Sequence, residues 1–145
     1  MGVLRSEGGF LLSKVHQLMG RVFNRLLREH GIELNSAQGR ILFVLWERDG
    51  IPITELAQAT MLSKSTLTSM LDRLEEAGHL LRGPSPGDRR VTLITLTERN
   101  RQLRDRYDQV SREMTELFYG GFSPDEIANF EGDLRRILAN LSGSG

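Results

Sequence analysis

Two short stretches of this 145-residue chain carry side chains suited to gripping a polyanion. In the first, "SKSTLTSMLDRLEEAG", Ser63 precedes Lys64, Ser65, Thr68, Ser69 and Arg73 at spacings that share the outer face of a helix. No acid appears there before Asp72, so the helix start is hydroxyls and one cation. Small donors and a positive helix end, with no repelling carboxylate, are what phosphates and base edges require. In the second, "GPSPGDRRVTLITLT", Asp88, Arg89 and Arg90 stand between a run of turn formers and an alternating segment. Two adjacent arginines thus fall at the tip of a predicted hairpin. Serine and threonine are common on any helix surface, and a helix-turn-helix pattern alone is weak. An arginine-tipped hairpin directly after it makes the pair far more specific.

Other chemistries find little material. No acid pair, nucleophile elbow, phosphate-binding glycine loop or metal spacing is visible, so no enzyme and no cofactor is expected. The chain has no cysteine, which removes disulfides and thiol chemistry and suits a cytoplasmic protein. His16, His30 and His79 are too scattered to suggest a metal set. Every apolar run is broken within a few residues by Arg, Glu, Ser or Gly, so no membrane span is expected. The start shows no secretory pattern. "MGVLRS" matches a myristoylation pattern and "NLS" at Asn140 a glycosylation acceptor, but both are short, common and unsupported by any other feature.

Formal net charge is zero, so bulk charge does not announce a polyanion partner. Distribution matters more. Of 19 basic residues all but Lys14 and Lys64 are arginine, the side chain suited to bidentate phosphate and base contacts. Nine of the 19 acids lie beyond Thr97, which leaves room for a basic surface elsewhere.

The elements that must position these groups follow from periodicity. Leu11, Val15, Leu18, Val22 and Leu26 mark a first helix, with a stripe too wide for a helix lying on a surface. Asn35 and Gln38 open a second helix as a capping box, with Ile41, Leu42, Val44 and Leu45 inward. Pro52 and Thr54 start a short third helix, and Ser63 caps a fourth whose inner face is Leu67, Met70, Leu71 and Leu74. "HLLRG" and "RRVTLITLT" read as a two-stranded hairpin. The helical period then returns with Leu103, Tyr107, Val110, Met114 and Leu117, is broken by "YGGF", and Ser123, Pro124 and Glu126 start the last helix. The expected fold is mainly α with a small β-hairpin wing. Residues 1–32 form an N-terminal dimerisation helix, 33–97 a winged helix-turn-helix and 98–145 C-terminal dimerisation helices, all in one structural domain. The long apolar-faced terminal helices are most economically buried against each other and a second copy of the chain.

From "ITELAQATMLSKSTLTSMLDRLEEAGHLLRGPSPGDRRVTLITLTE" onward the chain resembles the MarR family of bacterial transcriptional regulators. The resemblance covers nearly the whole chain and is most specific in "LDRLEEAGHLLR…DRRVTLITLT". It implies a homodimer that binds double-stranded DNA at a palindromic operator as a repressor and is released by a small aromatic or lipophilic ligand. A ligand-insensitive regulator, an activator of the same fold and a helical protein–protein module are the alternatives. By the same resemblance Ser63, Lys64, Ser65, Thr68, Ser69 and Arg73 contact DNA from the recognition helix. Arg90 is the wing arginine entering the minor groove, Asp88 holds it, and Arg89 faces phosphate. Arg82 supports the wing or meets the DNA backbone. Asn35 and Ser36 belong to the capped start of the second helix, whose free N–H groups face phosphate.

Two positions depart from the family pattern. An aromatic residue usually follows the glutamine of the second helix, and here it is Gly39. Glycine there either enlarges a ligand cavity or permits close helix packing, and both readings stay open. Asn100 stands where the family commonly has glycine, and Asn tolerates the same bent backbone best among other residues. A ligand pocket is expected from Phe10, His16, Gly39, Trp46 and Tyr107. Phe10, Phe23, Trp46, Tyr107 and Phe118 are first of all core, and His79 packs beside the wing.

Overall fold

A computed structural model describes residues 6–144; Gly2 of the myristoylation pattern lies outside them. The order is α1 (Gly8–Glu29), α2 (Ser36–Glu47), β1 (Ile51–Pro52), α3 (Ile53–Thr60), α4 (Lys64–Glu76), β2 (Leu80–Pro84), β3 (Thr92–Leu96), α5 (Glu98–Phe118) and α6 (Pro124–Ser142). Internal contacts divide the chain into two units, Met1–Val110 and Ser111–Gly145.

Local signals account for the helix ends. At α2 the Asn35 side chain accepts the Gln38 N–H at 2.8 Å while the Gln38 side chain accepts the Asn35 N–H at 3.0 Å. Ser63 accepts the Thr66 N–H at the start of α4. At α6 Ser123 and Glu126 form a second capping box, with Pro124 leading the helix. Each cap satisfies donors that a helix start leaves unpaired.

The core of the first unit is aliphatic. Leu27, Ile41, Leu42, Leu45, Leu56, Leu67, Leu71, Leu74, Leu80 and Ile94 are fully buried. Burying each such side chain favours folding by about 1.5–3 kcal/mol. Leu67, Leu71 and Leu74 all come from α4, so its inner face is fixed and its polar face must point outward.

The sheet corrects one expectation. It has three strands in the order β1-β3-β2, because Ile51 and Pro52 pair antiparallel with Ile94 and Leu93. Two residues are too few to show alternation. Pro52 lacks an N–H and is tolerated on this edge strand, where it also precedes α3. A second difference concerns the hairpin. β3 begins at Thr92, so Arg89 and Arg90 lie in the connecting turn rather than in the strand. That turn is closed by the Ser85 N–H donating to the Val91 carbonyl at 2.8 Å.

Within one chain α1 is buried only at Leu26 and Leu27. Phe10 is not core: it is 66% exposed, with Leu11, Leu12, Val15, Leu18 and Met19 also exposed. The Lys14 ammonium lies 5.2 Å from its ring centroid. In the second unit Phe118, Tyr119, Phe122 and Phe130 form an aromatic cluster, and the Tyr119 hydroxyl donates to Glu131 at 2.7 Å. No residue of α6 is buried.

Candidate nucleic-acid interface

α3 and α4 are joined by a turn in which Met61 adopts a left-handed conformation, φ 56°. A non-glycine residue there is strained, and the turn is the one that sets α4 at an angle to α3. Thr60 anchors the turn by donating its buried hydroxyl to the Leu56 carbonyl at 2.8 Å. On α4, Ser63, Lys64, Ser65, Ser69 and Arg73 are exposed, while Thr68 is half-buried. Thr66, absent from the predicted set, is exposed among them and its hydroxyl oxygen lies 2.9 Å from Ser63 Oγ. The face therefore presents hydroxyls and cations over its first turns.

The acids beyond it are neutralised from the wing. Arg82 Nη2 lies 2.6 Å from Asp72 Oδ1 and 2.8 Å from Glu75 Oε1, and the Arg82 backbone N–H donates to Glu75 Oε2 at 3.1 Å. The side-chain bond from Arg82 holds the Glu75 carboxyl below its ordinary pKa, and the backbone N–H adds to the effect. One arginine thus ties the first residues of the wing to the last turns of α4.

At the wing tip Asp88 organises Arg90. Arg90 Nε donates to Asp88 Oδ1 at 3.1 Å, Nη2 to Oδ2 at 3.1 Å, and the Arg90 backbone N–H to Oδ1 at 3.0 Å. The fork pulls the Asp88 carboxyl below the usual range, with the backbone bond second. The Arg90 side chain is nevertheless 91% exposed, so it is aimed without being covered. Arg89 is exposed beside it.

The start of α2 differs from expectation. Its N–H groups are taken within the chain: Ser36 N–H donates to Asn24 Oδ1 at 2.8 Å, and Asn35 and Gln38 serve each other. Few remain to meet a phosphate. The five residues expected to line a ligand pocket also separate. Gly39, Trp46 and Tyr107 meet, with the Trp46 and Tyr107 ring centroids 4.5 Å apart, whereas Phe10 and His16 lie on the exposed part of α1. The room left by Gly39 holds the Tyr107 hydroxyl, so close packing and not a cavity explains this glycine.

Sequence reasoning missed the joints behind the wing. Asp49 accepts the Leu96 N–H at 2.9 Å and pairs with Arg101 at 2.9 Å, linking the end of α2 to β3 and α5. Asn100 joins Trp46 to His79. Neither has a sequence signal, since the partners are far apart in the chain. Among the described residues no group of three or more His, Cys, Asp or Glu is placed to hold a metal ion, and no helix is long and apolar enough to cross a membrane.

A family model described as the MarR family matches residues 34–92, the span from α2 into the start of β3. Among curated relatives, the regulator PecS of Dickeya dadantii is 34% identical over 134 residues, which cover 90% of this chain and 79% of PecS. This chain belongs to the MarR family. TtmR of Methylorubrum extorquens, named a helix-turn-helix transcriptional regulator, is 35% identical over 105 residues and 72% of this MarR-family chain. The match spans only about half, 53%, of TtmR's own length. Two solved structures extend the likeness to three dimensions. A cysteine-to-serine mutant of MarR from E. coli, complexed with operator DNA, is 28% identical with a TM-score of 0.81, covering 90% of this chain and 92% of that one. BpsR of Bordetella bronchiseptica, whose DNA binding is regulated by 6-hydroxynicotinic acid, is 25% identical with a TM-score of 0.81, covering 94% and 97%. The winged helix of this MarR-family protein is thus that of a helix-turn-helix transcriptional regulator.

Proposed function

We propose that this protein is a cytoplasmic repressor, without enzymatic activity, that binds a palindromic operator as a homodimer. The observation that carries the reading is the Asp88–Arg90 fork, a guanidinium locked in direction yet open to solvent. Arginine is favoured in the narrow minor groove, where the potential is most negative. Lys64, Ser65, Thr68, Ser69 and Arg73 face the major groove from α4 with Ser63 at its cap, Arg89 meets phosphate, and Arg82 positions the wing. Asn35 and Ser36 close the start of α2 instead of donating to DNA. The exposed apolar stripe of α1 and the unburied α6 support a second copy as partner. Release by a small ligand is supported by the regulation of BpsR.

Binding to duplex DNA over a salt series tests the reading. Affinity should fall steeply as salt rises, because each neutralised phosphate releases counterions. Absent or salt-insensitive binding overturns it. A module that binds only protein would leave the Asp88–Arg90 fork without a task.

A further inference from the structure

Three parts of the chain meet at Asn100, which is buried in the first turn of α5. The Trp46 indole Nε1–H, from α2, donates to Asn100 Oδ1 at 2.8 Å, and Asn100 Nδ2 lies 3.0 Å from His79 Nδ1. An indole can only donate, so the amide oxygen must face Trp46 and the amide NH2 must face His79. His79 Nδ1 therefore accepts, and the ring is neutral with its proton on Nε2. An imidazolium would set two donors against each other in a buried place. Turning the amide over offers no escape, because the indole N–H would then face the NH2.

His79 stands where a slip of the ring matters to DNA. It lies between α4, which ends at Glu76, and β2, which starts at Leu80, and is only 6% exposed. The His79 N–H donates to the Leu74 carbonyl at 2.9 Å, closing α4, and the His79 carbonyl accepts the Thr97 N–H at 3.1 Å. Thr97 in turn donates its hydroxyl to the Gly78 carbonyl at 2.6 Å and accepts the Asn100 N–H at 3.2 Å. The last turn of the recognition helix, the root of the wing and the first turn of α5 thus share one set of bonds. The charges around the ring disfavour a further cation. Arg99 and Arg106 of α5 and Glu33 of the α1–α2 connection border the same side of it. On α4 Glu75 is taken by Arg82 and Glu76 is exposed, and Asp49 beyond α2 is taken by Arg101. Burial, and then the charge of Arg99, hold the His79 pKa below its ordinary value.

We propose that Asn100 and His79 are positioning residues for DNA binding. With His79 neutral they lock the end of α4 and the root of the wing to α5; protonation of His79 unlocks both and weakens the grip on DNA. The inference rests on the regulator reading. Its sign is distinctive, because protonated histidines ordinarily strengthen a hold on phosphates by adding positive charge. Here the conflict of donors outweighs that gain, since a buried donor left without its acceptor bears its whole desolvation penalty, and a charged one bears more. Affinity therefore falls in mild acid. The amide of Asn100 sets this sign. A carboxylate at 100 would accept from both Trp46 and an imidazolium, so it would hold His79 charged without conflict.

The probe is a labelled duplex that the full chain selects from a random-sequence library at about pH 7.5, where the ring is neutral. Affinity of the parent should fall roughly tenfold on going to about pH 5.5, a range in which carboxylates stay ionised. Trp46, the chain's single tryptophan, should change its emission over the same range without DNA, as its N–H loses a partner. His79→Gln can accept from Asn100 but cannot titrate, so it should hold affinity and emission level. Asn100→Asp should do the same in acid, and if it does not fold His79→Gln decides alone. His16 and His30 remain in both variants, so any slope of theirs would persist. A merely structural pair would lower affinity equally at every pH and leave the slope in place. Parent affinity that rises or stays level in acid overturns the proposal, as does a decline that survives in His79→Gln. A duplex bound with no pH dependence sinks the role of this pair alone. If emission shifts and no duplex is ever selected, the regulator reading falls and takes the DNA role of the pair with it.

Discussion

The hydroxyl of Tyr107 lies against the bare Cα of Gly39, in the space that any side chain at 39 would fill. The Tyr107 ring is 4% exposed and is held edge-on by Trp46 at 4.5 Å and Phe23 at 5.6 Å. Burial, with the charge of Asp108 adding to it, drives the phenol's pKa well above its ordinary value. The group stays protonated. Glycine in a helix costs roughly 0.5–1 kcal/mol relative to alanine, so helix propensity alone would make Gly39→Ala stabilising. Overpacking costs about 1–3 kcal/mol and should win. Chemical denaturation should show Gly39→Ala less stable, with part of the loss recovered when Tyr107→Phe removes the hydroxyl. A Gly39→Ala variant more stable than the parent would refute the packing account.

At the wing, Arg90→Ala should weaken operator binding by roughly tenfold or more while leaving the assembly state and melting temperature unchanged. Asp88→Asn, which keeps the shape but loosens the fork, should weaken it less. Unchanged affinity for Arg90→Ala in a gel-shift titration would remove the arginine from the interface.

Arg82 makes a different prediction because its bonds run to α4. Arg82→Ala frees Asp72 and Glu75 and unties the wing, so both the melting temperature and operator affinity should fall. Glu75 has a depressed folded pKa, so its share of stability is present above about 4.5 and lost as pH falls further. The gap in melting temperature between parent and variant should therefore narrow in acid. A variant with normal stability and poor binding would place Arg82 on the DNA.

His79 gives stability a pH slope of opposite chemistry and the same sign. Its folded pKa lies below the ordinary 6.5, so protons bind the unfolded chain more readily. The contribution is complete above about 6.5 and lost as pH falls through the folded value. Thermal melts between pH 7 and 5 should show a steeper decline for the parent than for His79→Gln. Equal slopes would mean that the buried ring does not titrate on unfolding.

Truncation before Ser123 removes α6 and its exposed Ile137, Leu138 and Leu141. Sedimentation should then find monomers or aggregates in place of a dimer. A well-behaved dimer of the shortened chain would show that α6 is not needed for assembly.

By itself the sequence determined the helices, their caps and the polar face of α4. The capping pairs Asn35–Gln38 and Ser123–Glu126 lie three residues apart, so a local pattern suffices to read them. The Asp88–Arg90 fork is equally local, two residues apart in the chain, and the role proposed for it comes from the family resemblance. Tertiary structure alone decided the rest. Ile51 pairs with Ile94, Asp49 bonds the Leu96 N–H 47 residues away, and Trp46 reaches Asn100 across 54. A two-residue strand has no period to detect, and a lone Asp or Asn names no partner. Gly39 was legible only as an oddity, since its meaning is the hydroxyl of Tyr107, brought there by a helix whose place depends on the whole core.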